Sequence, residues 1–293
     1  MSPSPTRSVV VTGASTGIGR ASALRLDREG FRVFAGVRRA EDGEALAKEA
    51  SERLTPLRLD VTDAAAIEAA VGTVSDALGA GGLGGLFNNA GIPAGGPLEF
   101  LDLDDMRAAF EVNVFGVVAV GQAFLPLLRR GRGRMLITGS MGGYLSNPLM
   151  GTYAATKFAL EAIADAWRRE LRPWGLEVVL IEPGSIETKI WEKANARSDD
   201  LRAKLSGAAE SLYGEMADRF QGFLNQTAGR AIPAEKVADA VLHALTAPTP
   251  KTRYRVGLDA QLARAVTHVV PDRALDAVTA RLLGFAGKGE AAD

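Results

Sequence analysis

Along the first two thirds of the chain, short aliphatic runs alternate with longer Ala-rich stretches that carry one apolar face. The runs at 8–12, 31–37, 54–59, 86–88, 133–140 and 177–182 read as strands. Between them, 18–29, 41–53, 64–78, 104–128 and 152–172 read as helices. Repeated strand–helix alternation implies βαβ crossovers, and so a parallel sheet with helices on both faces. Val178, Val179, Leu180 and Ile181 follow one another without a polar break, as in a strand covered on both sides. The charge-free stretch 112–128 contains Asn113, Gln122, Pro126 and two glycines, which leaves it short of a clean membrane-spanning run and makes it a buried helix.

After Gly184 the pattern changes. Residues 190–230 are polar and helical in composition, with Trp191, Tyr213, Phe220 and Phe223 scattered among them. A helix is expected over 233–246, a last strand over 253–257, and helical sequence over 258–284 broken at Pro271. There Leu258, Leu262, Val266, Leu275, Val278 and Leu282 recur at helical spacing, which predicts a helix pair packed on its own domain. Neither a linker nor an internal repeat interrupts the chain. Residues 1–293 therefore read as one doubly wound α/β domain, with 190–230 as a lid and 258–293 as a C-terminal extension.

Charge and composition narrow the chemistry. Lys plus Arg total 34 against 35 Asp plus Glu, a net charge of −1, so no basic stripe suits nucleic acid. Cysteine is absent, which removes disulfides, thiolate catalysis and Cys-based zinc sites. His243 and His268 are far apart in sequence, so no metal site is expected. Residues 1–8 lack the apolar run of a secretory signal, and a soluble cytoplasmic protein is expected.

Three local patterns carry chemistry. Thr12-Gly13-Ala14-Ser15-Thr16-Gly17-Ile18-Gly19 lies between a strand and a helix. Glycines there let backbone N–H groups approach a phosphate at the helix N-terminus, and Ser15 or Thr16 adds a hydroxyl. The second strand ends in Val37-Arg38-Arg39, where NAD-binding folds carry an acid for the ribose 2′-hydroxyl. Arginine suits a 2′-phosphate instead, which favours NADP with NAD possible. Tyr153 and Lys157 stand four apart near a helix start, so phenol and ammonium share a face. A nearby cation favours the phenolate and makes Tyr a usable general acid or base.

Taken in order, Thr12–Gly19, Asp60-Val61, Asn88-Asn89-Ala90-Gly91, Asn113, Ser140 thirteen residues before Tyr153, Lys157, and Pro183-Gly184 with Ile186 and Thr188 resemble the short-chain dehydrogenase/reductase family. The resemblance implies a Rossmann-type fold and a hydride transfer between a nicotinamide dinucleotide and an alcohol or ketone. It implies that Tyr153 is the acid or base, that Ser140 holds the substrate oxygen, and that Lys157 binds the nicotinamide ribose and depresses the Tyr153 pKa. Asn113 would hold a water that links Lys157 to solvent. Asp60 and Val61 would contact adenine, Asn89, Ala90 and Gly91 the adenosine ribose, and Pro183, Gly184, Ile186 and Thr188 the carboxamide side. Residues 31–38, 82–91, 253–257 and 271–273 look similar to the hydroxysteroid and retinol dehydrogenase branch, which implies a bulky apolar substrate. A sugar, acyl or xenobiotic carbonyl reductase, or a non-catalytic dinucleotide sensor, is the alternative. The family also implies a homodimer or homotetramer built on helices 104–128 and 152–172, and Phe115, Val118, Phe158 and Trp167 are candidates for that interface or for the intrachain core.

Overall fold

The structure, a computed structural model, describes residues 7–188 and 207–282. One seven-stranded parallel sheet has the order β3 (Leu54–Arg58), β2 (Arg32–Val37), β1 (Ser8–Val11), β4 (Gly85–Asn88), β5 (Arg134–Thr138), β6 (Glu177–Pro183), β9 (Arg253–Val256). Successive side chains of a strand point to opposite faces. Thus Val9 and Val11 join Val33, Phe87 and Val179 under α1 (Gly17–Arg28) and α8 (Ala234–Thr246). Val10 joins Phe34, Leu86 and Ile137 on the other face, under α3 (Ala64–Leu78), α5 (Gly116–Gly131) and α6 (Gly151–Glu170). Chain order reverses between β1 and β4, and that reversal opens a crevice at the carboxyl ends of these strands.

Four details differ from the sequence expectations. Helix α2 spans only Ala40–Ala47, not 41–53. The Asp27 carboxylate accepts both the backbone N–H of Ser51 (2.9 Å) and its hydroxyl (2.5 Å), and Arg53 donates to the Asp27 carbonyl (3.0 Å), so these residues turn toward α1 instead of continuing the helix. The long helix expected over 104–128 is α4 (Leu103–Phe110) and α5 joined by a π turn, Glu111–Phe115. A short parallel pair, β7 (Ile186–Glu187) with β8 (Ile232–Pro233), was not anticipated; it ties the loop after β6 to the start of α8. Finally, α9 (Leu258–Val269) and α10 (Asp272–Leu282) do not bury their apolar stripe. Ala260 is the buried residue of α9, while Leu258, Leu262, Val266, Val269 and Val278 are exposed. Ala260 lies about half a turn round the helix from Leu258, so the small face meets the body and the large apolar face points away.

In the expected lid, α7 (Gly207–Ala228) carries Tyr213, whose hydroxyl donates to Glu99 (2.7 Å) and whose ring meets Phe100 edge-on at 5.8 Å. Phe220 and Phe223 stack on each other, and Trp191 lies outside the described residues. Strand β9 is fixed by charge: Arg253 pairs with Glu161 (2.9 Å) and Asp165 (3.0 Å) of α6, and Arg255 approaches buried Glu182 at 3.1 Å. Burial and the neighbouring Glu161 push the Glu182 carboxyl well above the usual carboxylate range.

Candidate active site

The Gly-rich turn closes the crevice on the β1 side. Gly13 and Gly17 adopt left-handed φ of +64° and +56°. A Cβ on Gly13 would stand 2.9 Å from the Ala90 Cα, and one on Gly19 would stand 2.3 Å from the Gly13 carbonyl oxygen. Helix α1 has Thr16 at its N-cap without a side-chain cap, and no acid in its first turn. In α3, by contrast, the Asp63 carboxylate accepts the N–H groups of Ala65 and Ala66. The first-turn donors of α1 and their partial positive charge are thus left for an anionic group, with Ser15, Thr16 and Ile18 half-buried beside them. This cradle fits a dinucleotide pyrophosphate.

At the end of β2, Val37 is buried and Arg38 and Arg39 are exposed. Arg39 is engaged by Asp42 through two bonds (3.0 and 2.8 Å). Among the described residues Arg38 makes no hydrogen bond, which leaves it as the guanidinium open to a phosphate. Asp60 folds back on Thr62, accepting its N–H (3.0 Å) and hydroxyl (2.8 Å). Burial opposes its ionisation, but those bonds and the Arg38 charge outweigh burial and hold the carboxyl below its ordinary value. Val61 packs on the start of α5, where a Cβ on Gly116 would stand 2.7 Å from it.

A polar knot joins the carboxyl ends of β1, β4 and β5. The Thr12 hydroxyl accepts the N–H groups of Asn89 (2.9 Å) and Ala90 (3.0 Å). The Asn89 amide donates to the carbonyls of Thr12 (3.1 Å) and Gly13 (3.3 Å), and its oxygen accepts the Thr138 hydroxyl (3.2 Å). Asn89 therefore builds the scaffold, and the backbone of Ala90 and Gly91 borders the crevice. Asn113, on the π turn, exchanges hydrogen bonds with both backbone groups of Ile92 (2.8 and 3.0 Å) and donates to the Thr156 hydroxyl (3.2 Å). Both amide protons are occupied, so only the second lone pair of Oδ1 remains for a water. π turns of this kind frequently mark functional positions in helices.

Ser140, Tyr153 and Lys157 converge next to this knot. The Ser140 oxygen accepts the Gly142 N–H (3.0 Å), which leaves its own proton free to donate. The Lys157 ammonium is buried, donates to the Thr138 carbonyl (2.8 Å) and lies over the Tyr153 ring, 5.6 Å from its centre. Burial alone pushes the Lys157 pKa down to about 8. Burial also pushes the Tyr153 phenol above its ordinary value, and the facing Ser140 hydroxyl only partly offsets it. Burial, not Lys157, is the dominant influence on this phenol. The sequence reading also missed Thr138 and Thr156, whose contributions run through a backbone carbonyl and a hydroxyl at positions without a motif.

The loop after β6 forms the far wall. Pro183 and Ile186 are buried, the Gly184 N–H donates to the Val256 carbonyl (2.9 Å), and Ile186 pairs with Ile232. Thr188 reaches back across the crevice: a Cβ on Gly17 would touch its methyl at 3.0 Å. Thr12, Gly13, Asn89, Thr138 and Lys157 are thus joined by hydrogen bonds, and Thr188 packs against Gly17.

A family model described as short chain dehydrogenase matches residues 7–199. The chain belongs to the short-chain dehydrogenase family. It is a dinucleotide-dependent oxidoreductase of that family, similar to its retinol dehydrogenase branch. It is 35% identical over 277 residues to the NADPH-dependent 3-dehydrocapnine reductase of Ornithobacterium rhinotracheale, covering 93% of this chain and 95% of that protein. It is 37% identical over 283 residues to retinol dehydrogenase 5 of Mus musculus, covering 94% and 88% respectively. A crystal structure of a short chain dehydrogenase from Burkholderia cenocepacia in complex with NADP superposes with a TM-score of 0.70 at 27% identity, over 94% of this chain and 97% of that one.

The buried Lys157 gives this dehydrogenase a testable pH dependence. The unfolded chain binds the lysine proton up to about 10.5, the folded chain only up to about 8. Between these values the unfolded state holds more protons, so stability rises with pH, and below about 8 the folded state carries the full penalty. Lys157→Met is expected to stabilise the protein at pH 7 by about 2 kcal/mol, the relieved burial outweighing the lost bond to Thr138. That gain should shrink toward the ordinary lysine range. Thermal melts across this interval check it, and a lower Tm for the variant at pH 7 would contradict it.

Proposed function

We propose that this dehydrogenase interconverts a secondary alcohol and a ketone, with NADP as the preferred dinucleotide and NAD accepted. The observation that carries the reading is the convergence of Ser140, Tyr153 and Lys157 beside the uncapped end of α1. The bound dinucleotide supplies or takes up the hydride. Tyr153 carries its proton at neutral pH and stands ready to give it to the oxygen of a carbonyl being reduced. Ser140 points its free proton at the same oxygen. Lys157, with one proton on Thr138, has two left for ribose hydroxyls, and its charge favours the phenolate once the Tyr153 proton has left. Asn113 offers its free lone pair to a water between Lys157 and solvent.

In the same reading, Gly13, Ser15, Thr16, Gly17, Ile18 and Gly19 hold the pyrophosphate and Arg38 the 2′-phosphate, while Arg39 stays with Asp42. Asp60 and Val61 border the adenine, Asn89, Ala90 and Gly91 its ribose, and Pro183, Gly184, Ile186 and Thr188 the carboxamide. The names of the 3-dehydrocapnine reductase and the NADP complex support this cofactor.

A bulky apolar substrate is supported by Met141, Leu145, Leu149 and Met150, which lie between Ser140 and Tyr153 in the chain. Leu149 has a left-handed φ of +64°, held by a bond from the Gly96 N–H to its carbonyl (2.7 Å). Strain of this kind concentrates at ligand-binding sites. The protein acts in this reading as a soluble cytoplasmic homodimer or homotetramer. Half of the apolar window in Leu103–Gly131 is buried inside the fold, and Phe115 and Phe158 are exposed on neighbouring helices, open to a partner copy.

Tyr153→Phe should lower kcat by about 10²–10⁴-fold while the NADPH titration by nicotinamide fluorescence is unchanged. Retained turnover would reassign the acid, and a parent that binds NADPH but turns over no apolar ketone would favour a sensor. Arg38→Ala should weaken NADPH binding by about tenfold and leave NADH unaffected. Equal affinity of the parent for both nucleotides would remove the 2′-phosphate assignment. Light scattering at micromolar concentration should give a dimer or tetramer mass that Phe115→Asp with Phe158→Asp reduces, whereas a monomeric parent would refute the assembly.

A further inference from the structure

The first turn of α9 joins two loops that lie far apart in sequence. The Asp259 carboxylate accepts the N–H of Ser185 (2.7 Å), from the loop after β6, and that of Ala260 (2.9 Å) in its own helix. It fills the space over Gly184 completely: a Cβ there would stand 2.1 Å from Oδ1. One residue further on, the Ala260 carbonyl accepts the hydroxyl of buried Tyr144 (2.7 Å), from the loop that begins at Ser140. Burial pushes the Tyr144 phenol above its ordinary value, so it stays a donor. The turn is aimed by Gly257, whose φ of +109° a side chain rarely adopts.

Ordinary explanations for Asp259 fall short. An acid in the first turn of a helix is stabilising there, but such an acid needs no partner 74 residues away. Core packing contributes only the small Ala260 side chain to this turn. The neighbouring polar groups complete the pattern. The Gly184 N–H is taken by the Val256 carbonyl (2.9 Å) and the Ser185 carbonyl by the Ile232 N–H (3.0 Å). The backbone leading to Ile186 and Thr188 is therefore fixed from the C-terminal part of the chain.

We propose that Asp259 is a positioning residue for the nicotinamide-side loop, Gly184 to Thr188, and that the first turn of α9 brackets this loop to the Ser140 loop through Tyr144. The nicotinamide role of the loop rests on the function proposed above; the bracket itself does not. Asp259 sets the height of the Ser185 amide, and with it the place from which Ile186 and Thr188 meet the ring end of the dinucleotide. The adenine and 2′-phosphate end, assigned above to Asp60, Val61 and Arg38, shares no bond with Asp259.

Two measurements on the full chain separate these statements. Amide hydrogen exchange of the protein without nucleotide reads the bracket directly. Asp259→Ala should speed exchange over residues 184–188 by about tenfold, and Asp259→Asn, whose amide oxygen still accepts the Ser185 N–H, should restore most of the protection. Titration with NADPH and with adenosine 2′,5′-bisphosphate then reads the consequence. Asp259→Ala should weaken NADPH by about tenfold and leave the bisphosphate, which lacks the nicotinamide half, within about twofold. Unchanged exchange over 184–188 in Asp259→Ala overturns the bracket. A parallel loss of both ligands overturns the positioning role in favour of a general structural one. A parent that binds neither ligand removes the proposed function, and the exchange result still decides the bracket.

Discussion

The hydroxyl of Thr12 is where the polar framework of this dehydrogenase begins. It receives the N–H groups of Asn89 and Ala90, Asn89 reaches back to the Gly-rich turn and across to Thr138, and the Thr138 carbonyl receives Lys157. One continuous series of hydrogen bonds therefore runs from the Gly-rich turn to Lys157. Parallel strands leave their carboxyl ends without a common partner at a reversal of chain order, and this knot supplies one. The glycines follow from it: Gly13 lies against Ala90, and Gly19 lies against Gly13 and Asn89, too close for any side chain.

The same knot explains the charge logic of the site. A lysine ammonium in a dry place is disfavoured, and its pKa falls accordingly. Thr138 gives it one acceptor and the Tyr153 ring face gives it a weaker one. Neither neutralises it. A buried cation left with unused donors is poised for hydroxyl groups arriving from outside, and the folded protein carries the cost of holding it. That same dryness raises the pKa of the phenol next to it.

Much of this was legible in the sequence. Alternating short apolar and long amphipathic segments determine a parallel sheet almost by themselves, and the order of Gly13, Asn89, Ser140, Tyr153 and Lys157 placed the crevice. What escaped reading was carried by side chains bonding backbone at a distance. Asp27 halting α2 through Ser51 and Asn113 turning inward at a π turn depend on geometry that leaves no periodic trace. Helical spacing in α9 announced an apolar face correctly but not the direction it would turn, because Ala260 and Gly257, not the leucines, decide how the helix lies on the body. The lid reading met the structure only in part, since Trp191 falls outside the described residues and Tyr213 engages Glu99 and Phe100.

The outward stripe of α9 and its inward first turn belong to one helix but answer to different demands. Exchange of C-terminal segments between relatives is an obvious route to new specificity in such enzymes. In this chain a junction placed at Gly257 would carry Asp259 and Ala260 away with the exchanged helix, and with them the contacts to Ser185 and Tyr144. A junction placed after Ala260 would keep those two hydrogen bonds with the body and exchange Leu262, Val266 and Val269, together with Arg264, which lies over the Tyr144 ring. The boundary between the part of the chain that anchors the two loops and the part that faces outward thus falls inside a helix, three residues after its preceding strand begins to turn.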